Sequence, residues 1–95
     1  MMITWEWIKN KKPVDISIKS RMEGNIMVVY GKPLEISYLN KVGSRILQLS
    51  DGKNTIEDIC NKLLQIYAVD KNELQADIVD LIRELQWKRL VRLEE

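Results

Sequence analysis

The 95-residue sequence contains no histidine, so the commonest general base and the commonest side-chain metal ligand are both missing. That excludes histidine-dependent triads and His-containing zinc sites. Cysteine occurs once, at Cys60, which permits neither an intramolecular disulfide nor a thiolate cage, and its apolar helical register marks an ordinary buried thiol. No glycine-rich phosphate loop is present. No apolar run approaches the length of a bilayer span, and no charged stretch followed by an apolar one opens the chain. A cytoplasmic protein without membrane attachment is expected. Charge of one sign is lacking too: fifteen basic residues against fourteen acidic give a net +1, without the basic excess that holds nucleic-acid phosphates. The carboxylates are spread along helix faces with no obvious pair in an apolar setting. Catalysis by the chain alone is not expected, nor is a cofactor of its own.

What is present suits one folding unit. The length allows a single modest core, and 45% apolar with 31% charged residues is the balance of a globular chain rather than a disordered one. Residues 1–12 combine Trp5 and Trp7 with Lys9, Lys11 and Lys12 and stop at Pro13. They read as an N-terminal arm ahead of a domain spanning 13–95, the lysines as a solvated entry segment. In an extended arm the two Trp residues share a face, free to dock on their own domain, a second copy or a partner.

From Val14 the period becomes two. Ile16 and Ile18 alternate with Asp15, Ser17 and Lys19, which predicts a half-buried strand. After the turn Glu23-Gly24-Asn25, the apolar run Ile26 to Tyr30 predicts a central strand. Gly31-Lys32-Pro33 turns the chain again, and Leu34, Ile36 and Tyr38 alternate with Glu35, Ser37 and Leu39 in a third strand, Pro33 to Leu39. Asn40 is placed to cap a short helix carrying Val42, Ile46, Leu47 and Leu49, which ends before Asp51-Gly52. Thr55 with Asp58 forms a capping-box signature for a second helix, with Ile56, Ile59, Cys60, Leu63, Leu64 and Tyr67 on its apolar positions. Asp70 and Glu73 open a third, from about Lys71 to Lys88. The tail Leu90 to Leu93 adds a short extended piece. The fold class is α+β, winged-helix-like: a three-stranded antiparallel sheet followed by three helices.

Two features bear on function. In a simple meander the third strand is an edge, whose unpaired N–H and C=O groups are either protected or used to accept an extended peptide. Lys32, Glu35 and Pro33 protect it weakly. On the third helix, Leu74, Ile78, Leu81 and Leu85 form a narrow core stripe at 100° steps. One flank carries Gln75, Val79, Ile82 and Gln86, the other Asp77, Asp80 and Glu84. The apolar surface spills over on the first flank, which either packs under the sheet or forms a groove with the edge strand.

The succession Leu39-Asn40 before a short helix, Ile46-Leu47 before Asp51-Gly52, Thr55-Ile56-Glu57-Asp58-Ile59 and, after Tyr67, a long helix with Asp77-Ile78 and Leu81 resembles the pyrroloquinoline quinone biosynthesis protein D (PqqD) family. Its members are also called recognition elements of ribosomally synthesised and post-translationally modified peptides. The resemblance runs from about Pro13 to Val91. It implies a non-catalytic peptide chaperone whose third strand and third helix clamp the leader segment of a precursor peptide as an added strand. The bound peptide is presented to a separate modifying enzyme, often a radical S-adenosylmethionine enzyme. Carried over by position, Leu34, Glu35, Ile36, Ser37 and Tyr38 would face Gln75, Ile78, Val79, Ile82 and Gln86. The sequence departs from the family where a Gly commonly precedes the final apolar pair, since Lys88-Arg89 stands before Leu90-Val91, and in its Trp-containing arm. The alternative reading is a DNA-binding winged helix with its third helix in a major groove, which Asp77, Asp80 and Glu84 oppose. A third is a structural domain that dimerises through the edge strand, against a monomer that binds peptides.

Overall fold

In the computed structural model, which describes residues 4–32 and 34–95, the capping signatures act as their residue types require. Asn40 Oδ1 accepts the Gly43 N–H at 2.8 Å and starts α2 (Lys41–Gln48). Thr55 and Asp58 exchange side-chain and main-chain bonds at 3.0 Å, a full capping box at the head of α3 (Ile56–Ile66). Asp70 Oδ2 accepts the Glu73 N–H at 3.0 Å before α4 (Lys71–Trp87). Each cap is worth about 1 kcal/mol.

α4 ends in a Schellman turn, in which the Leu90 N–H reaches Leu85 O at 2.8 Å and the Arg89 N–H reaches Gln86 O at 3.0 Å. Arg89 takes φ 58°, the left-handed conformation usually given to glycine, at the point where the sequence departs from the family pattern. The turn drives Leu90 into the core against Gly31, where a Cβ would collide with the Leu90 side chain.

The strands form two antiparallel sheets: β1 (Lys12–Asp15) with β5 (Val91–Glu94), and the order β2-β3-β4 from β2 (Lys19–Glu23), β3 (Ile26–Gly31) and β4 (Glu35–Leu39). β3 and β4 are the second and third strands expected from the sequence. The first expected strand is corrected. Asp15 Oδ1 accepts from Ser17 N at 2.9 Å and from Ser17 Oγ at 2.6 Å, a local turn that leaves Ile16 and Ile18 exposed. Pairing to the C-terminal tail comes before this turn and pairing to β3 after it.

Residues 4–12 are not a free arm. α1 (Trp5–Ile8) puts Ile8 in the core, and the Lys11 and Lys9 carbonyls accept the Ile56 and Glu57 N–H groups at 2.9 and 3.0 Å. Those donors open α3 and have no partner within it, so the segment completes the helix start. A helix turns successive residues by about 100°, so Trp5 and Trp7 do not share a face. Trp5 packs on the core, while Trp7 lies under the Lys11 ammonium, 4.9 Å from the ring centre. Lys9 pairs with Glu6 at 3.1 Å within the segment, and Lys11 reaches Glu95 next to β5. The single core joins Ile8, Val29, Leu39, Ile46, Ile59, Ile82 and Leu90 across the elements.

Candidate functional site: an open sheet edge beside a helix

β4 pairs in register with β3, from Met27 opposite Leu39 to Gly31 opposite Glu35. Strand alternation sends Ser37 and Leu39 into the core and turns Ile36 (43% exposed) and Tyr38 (70% exposed) outward. In such a ladder alternate residues aim their N–H and C=O away from the partner strand. Among the described residues, no hydrogen bond other than the β3 ladder engages the main chain of Glu35–Leu39. Leu34, expected on the strand, stands just before it at φ 61° with its side chain 98% exposed. Pro33, the start of the expected strand, lies outside the described residues.

α4 runs antiparallel to β4 across a groove. At the C-terminal end of the strand, Tyr38, Leu39 and Asn40 share a cleft of about 420 Å³ with Glu73, Asp77, Leu81 and Glu84. At the other end, Lys32 and Glu35 share a more open one with Gln86, Trp87, Lys88 and Arg89. Between them the Lys88 ammonium donates to Ser37 Oγ at 3.5 Å, a long bond that gives the buried hydroxyl a partner.

Of the residues anticipated for the site, the structure brings together Glu35, Ile36, Ser37 and Tyr38 on the strand and Gln86 on the helix. Ile78 and Ile82 are fully buried and belong to the scaffold. Gln75 and Val79 sit at helical steps on the flank opposite Asp77, Leu81, Glu84 and Lys88, and it is the latter set that borders β4. The helix wall is thus polar and acidic around Leu81, where an apolar one was expected. Leu81, Lys88 and Trp87 were missing from the anticipated wall. Trp87 carried a signal, being an aromatic residue off the core stripe, and it is 86% exposed.

Backbone N–H groups of Asn54 and Lys53 hold the Asp51 carboxyl below its ordinary value, and burial pushes the Cys60 thiol up. No group of three or more His, Cys, Asp and Glu suited to a metal occurs among the described residues.

Fold and groove together define a winged-helix-like α+β domain with one sheet edge left open beside a helix. The family model described as "Coenzyme PQQ synthesis protein D (PqqD)" matches residues 30–91, from β3 through the groove to the start of β5. The chain belongs to that family. It is 30% identical over 61 residues to proteins named "PqqA binding protein" from three strains of Xanthomonas oryzae pv. oryzae, the match covering 64% of this chain and 66% of each relative. A solved structure, "TbiB1 in Complex with the TbiA(beta) Leader Peptide", is similar with a TM-score of 0.71 and 25% identity, over 83% of this chain and 93% of that one.

Proposed function

We propose that this protein binds the leader segment of a ribosomally synthesised precursor peptide as a strand added to β4, beside α4, and presents it to a separate modifying enzyme. It performs no chemistry of its own. The observation that carries this reading is the unengaged main chain of Glu35–Leu39 next to a helix that leaves a groove open. Main-chain bonds then supply affinity, and the clefts at either end select side chains. The relatives support it, since one group is named for binding PqqA and the other was solved holding a leader peptide. A radical S-adenosylmethionine enzyme is the proposed recipient and the cytoplasm the proposed compartment; no helix among the described residues is long and apolar enough to cross a membrane. The duplex-DNA alternative gains no support, because the groove side of α4 presents Asp77 and Glu84.

Titration with leader peptides of precursors encoded beside this gene, followed through the backbone amides by NMR, tests the proposal. Shifts concentrated at Glu35–Leu39 are expected. Their absence with every such peptide overturns it. Self-pairing of β4 is the competing use of the edge, and sedimentation across concentration separates a domain that dimerises through it from a monomer that binds peptides.

A further inference from the structure

The two ends of the groove carry opposite charge. The cleft at Tyr38, Leu39 and Asn40 is bordered by three carboxylates, Glu73, Asp77 and Glu84, and by no cation. The cleft at the start of β4 holds Lys32, Lys88 and Arg89 against the single carboxylate of Glu35, beside the exposed ring of Trp87. Among the described residues none of these seven charged groups takes part in an ion pair. Five strand residues span about 16 Å. Screening at physiological salt acts over about 8 Å, so each end presents its own field to a guest.

Resting on the strand-addition reading, we propose that the groove selects a peptide segment with basic side chains toward its N-terminus and acidic side chains toward its C-terminus. Every pair in this sheet is antiparallel, and antiparallel pairing is the more stable per residue, so an added strand runs from the Leu39 end to the Glu35 end. Its first residues then pass Asp77 and Glu84, and its last meet Lys32 and Arg89. Trp87 gives the acidic end a large apolar plate to lie on. Charge order thereby fixes both the direction and the register of a strand that main-chain bonds alone would let slip.

The probes are two synthetic peptides of identical composition, each with a core of alternating valine and threonine. One carries two lysines at its N-terminal end and two glutamates at its C-terminal end; the other has the charges exchanged. Titrated into the full chain and read by amide shifts, both should move Glu35–Leu39, with the lysine-first peptide about fivefold tighter, as expected for a few exposed charge pairs. The preference should shrink as salt rises and reverse in the variant Lys32→Glu, Asp77→Lys, Glu84→Lys, Arg89→Glu, whose four positions are all exposed. Equal affinities for the two peptides at low salt overturn the charge order while leaving strand addition standing. No shift at Glu35–Leu39 with either overturns both.

Discussion

The three-stranded sheet has two edges, and they are treated in opposite ways. β2 reads Lys-Ser-Arg-Met-Glu and is exposed throughout. Lys19 and Arg21 lie 5.1 and 5.8 Å from the ring centre of Tyr30, and Arg21 pairs with Glu23 at 2.8 Å. Long charged side chains across an edge are how natural sheets refuse a stray strand. β4, on the other edge, reads Glu-Ile-Ser-Tyr-Leu, with one charge and two outward apolar side chains. Both strands complete the same ladder to β3, so pairing does not explain the contrast. One edge is closed chemically, and the other is left open where a helix can supply the second wall.

The largest effect should come from damaging the support beneath both edges. Ile82→Asp puts an unpaired carboxylate where no solvent reaches and should cost about 3–5 kcal/mol, a large part of the stability of a domain this size. Circular dichroism should show a collapsed melting temperature, with peptide binding lost only as a consequence. A variant that folds normally and merely binds weakly would make Ile82 part of the groove wall instead. The next effect should separate the edges. Making β4 resemble β2 through Ile36→Lys with Tyr38→Lys, both exposed, should weaken leader-peptide binding about tenfold or more while leaving the melting temperature within a few degrees. Unchanged affinity would mean that the open edge is not where the peptide lies.

The contrast between edges was only half legible in the sequence. β3 and the helices declared themselves because a continuous apolar run and Asn40, Thr55-Asp58 and Asp70-Glu73 are local signals, satisfied within a few residues. β2 went unseen because a charged edge strand has no apolar alternation, and the Ile16-Ile18 alternation that replaced it is cut by the Asp15–Ser17 turn. The D-x-S pattern could have revealed that break. For α4 the 100° wheel separates Asp77 and Glu84 from Gln75 and Val79, yet nothing local says which flank meets the sheet. That depends on where α1, α3 and β5 pack on the helix, contacts that the helix's own pattern does not contain. Ile82 therefore looked like surface spill-over when it is core, and Asp77 and Glu84 looked like solvent when they border the groove.

A smaller, stabilising effect is expected where the chain turns out of α4 beneath the open edge. Arg89 holds a left-handed conformation that costs a side-chain-bearing residue about 1 kcal/mol, so Arg89→Gly should raise the melting temperature by about 4–8 °C. The same substitution removes a cation from the basic end of the groove, and a leader peptide with an acidic C-terminal end should bind slightly more weakly to this more stable variant. Leu34→Gly relieves a similar strain at φ 61° without touching a groove charge, so it should stabilise with no change in affinity. Opposite movements of stability and affinity in the first variant, and stability alone in the second, would separate the turn's structural role from its charge.

The smallest effect concerns the loop that follows α2 and meets β1. Asp51 Oδ1 accepts the Lys53 and Asn54 N–H groups at 2.8 and 3.0 Å, and these bonds hold its carboxyl below the ordinary 3.8. A carboxyl depressed in the folded state stabilises that state above its unfolded value and loses the contribution as pH falls through the folded one. Acidification below pH 4 should therefore shift the Lys53 and Asn54 amides, and the Gly52 amide, whose N–H bonds Pro13 O at 2.9 Å and ties this loop to β1. In Asp51→Asn that acid response should vanish. Among the described residues no hydrogen bond joins the Asp51–Asn54 loop to Glu35–Leu39, so the Glu35–Leu39 amides should not follow the Asp51 titration. If they move with the same midpoint, the small sheet and the peptide edge are coupled, and the division between a closed scaffold and an independently open edge fails.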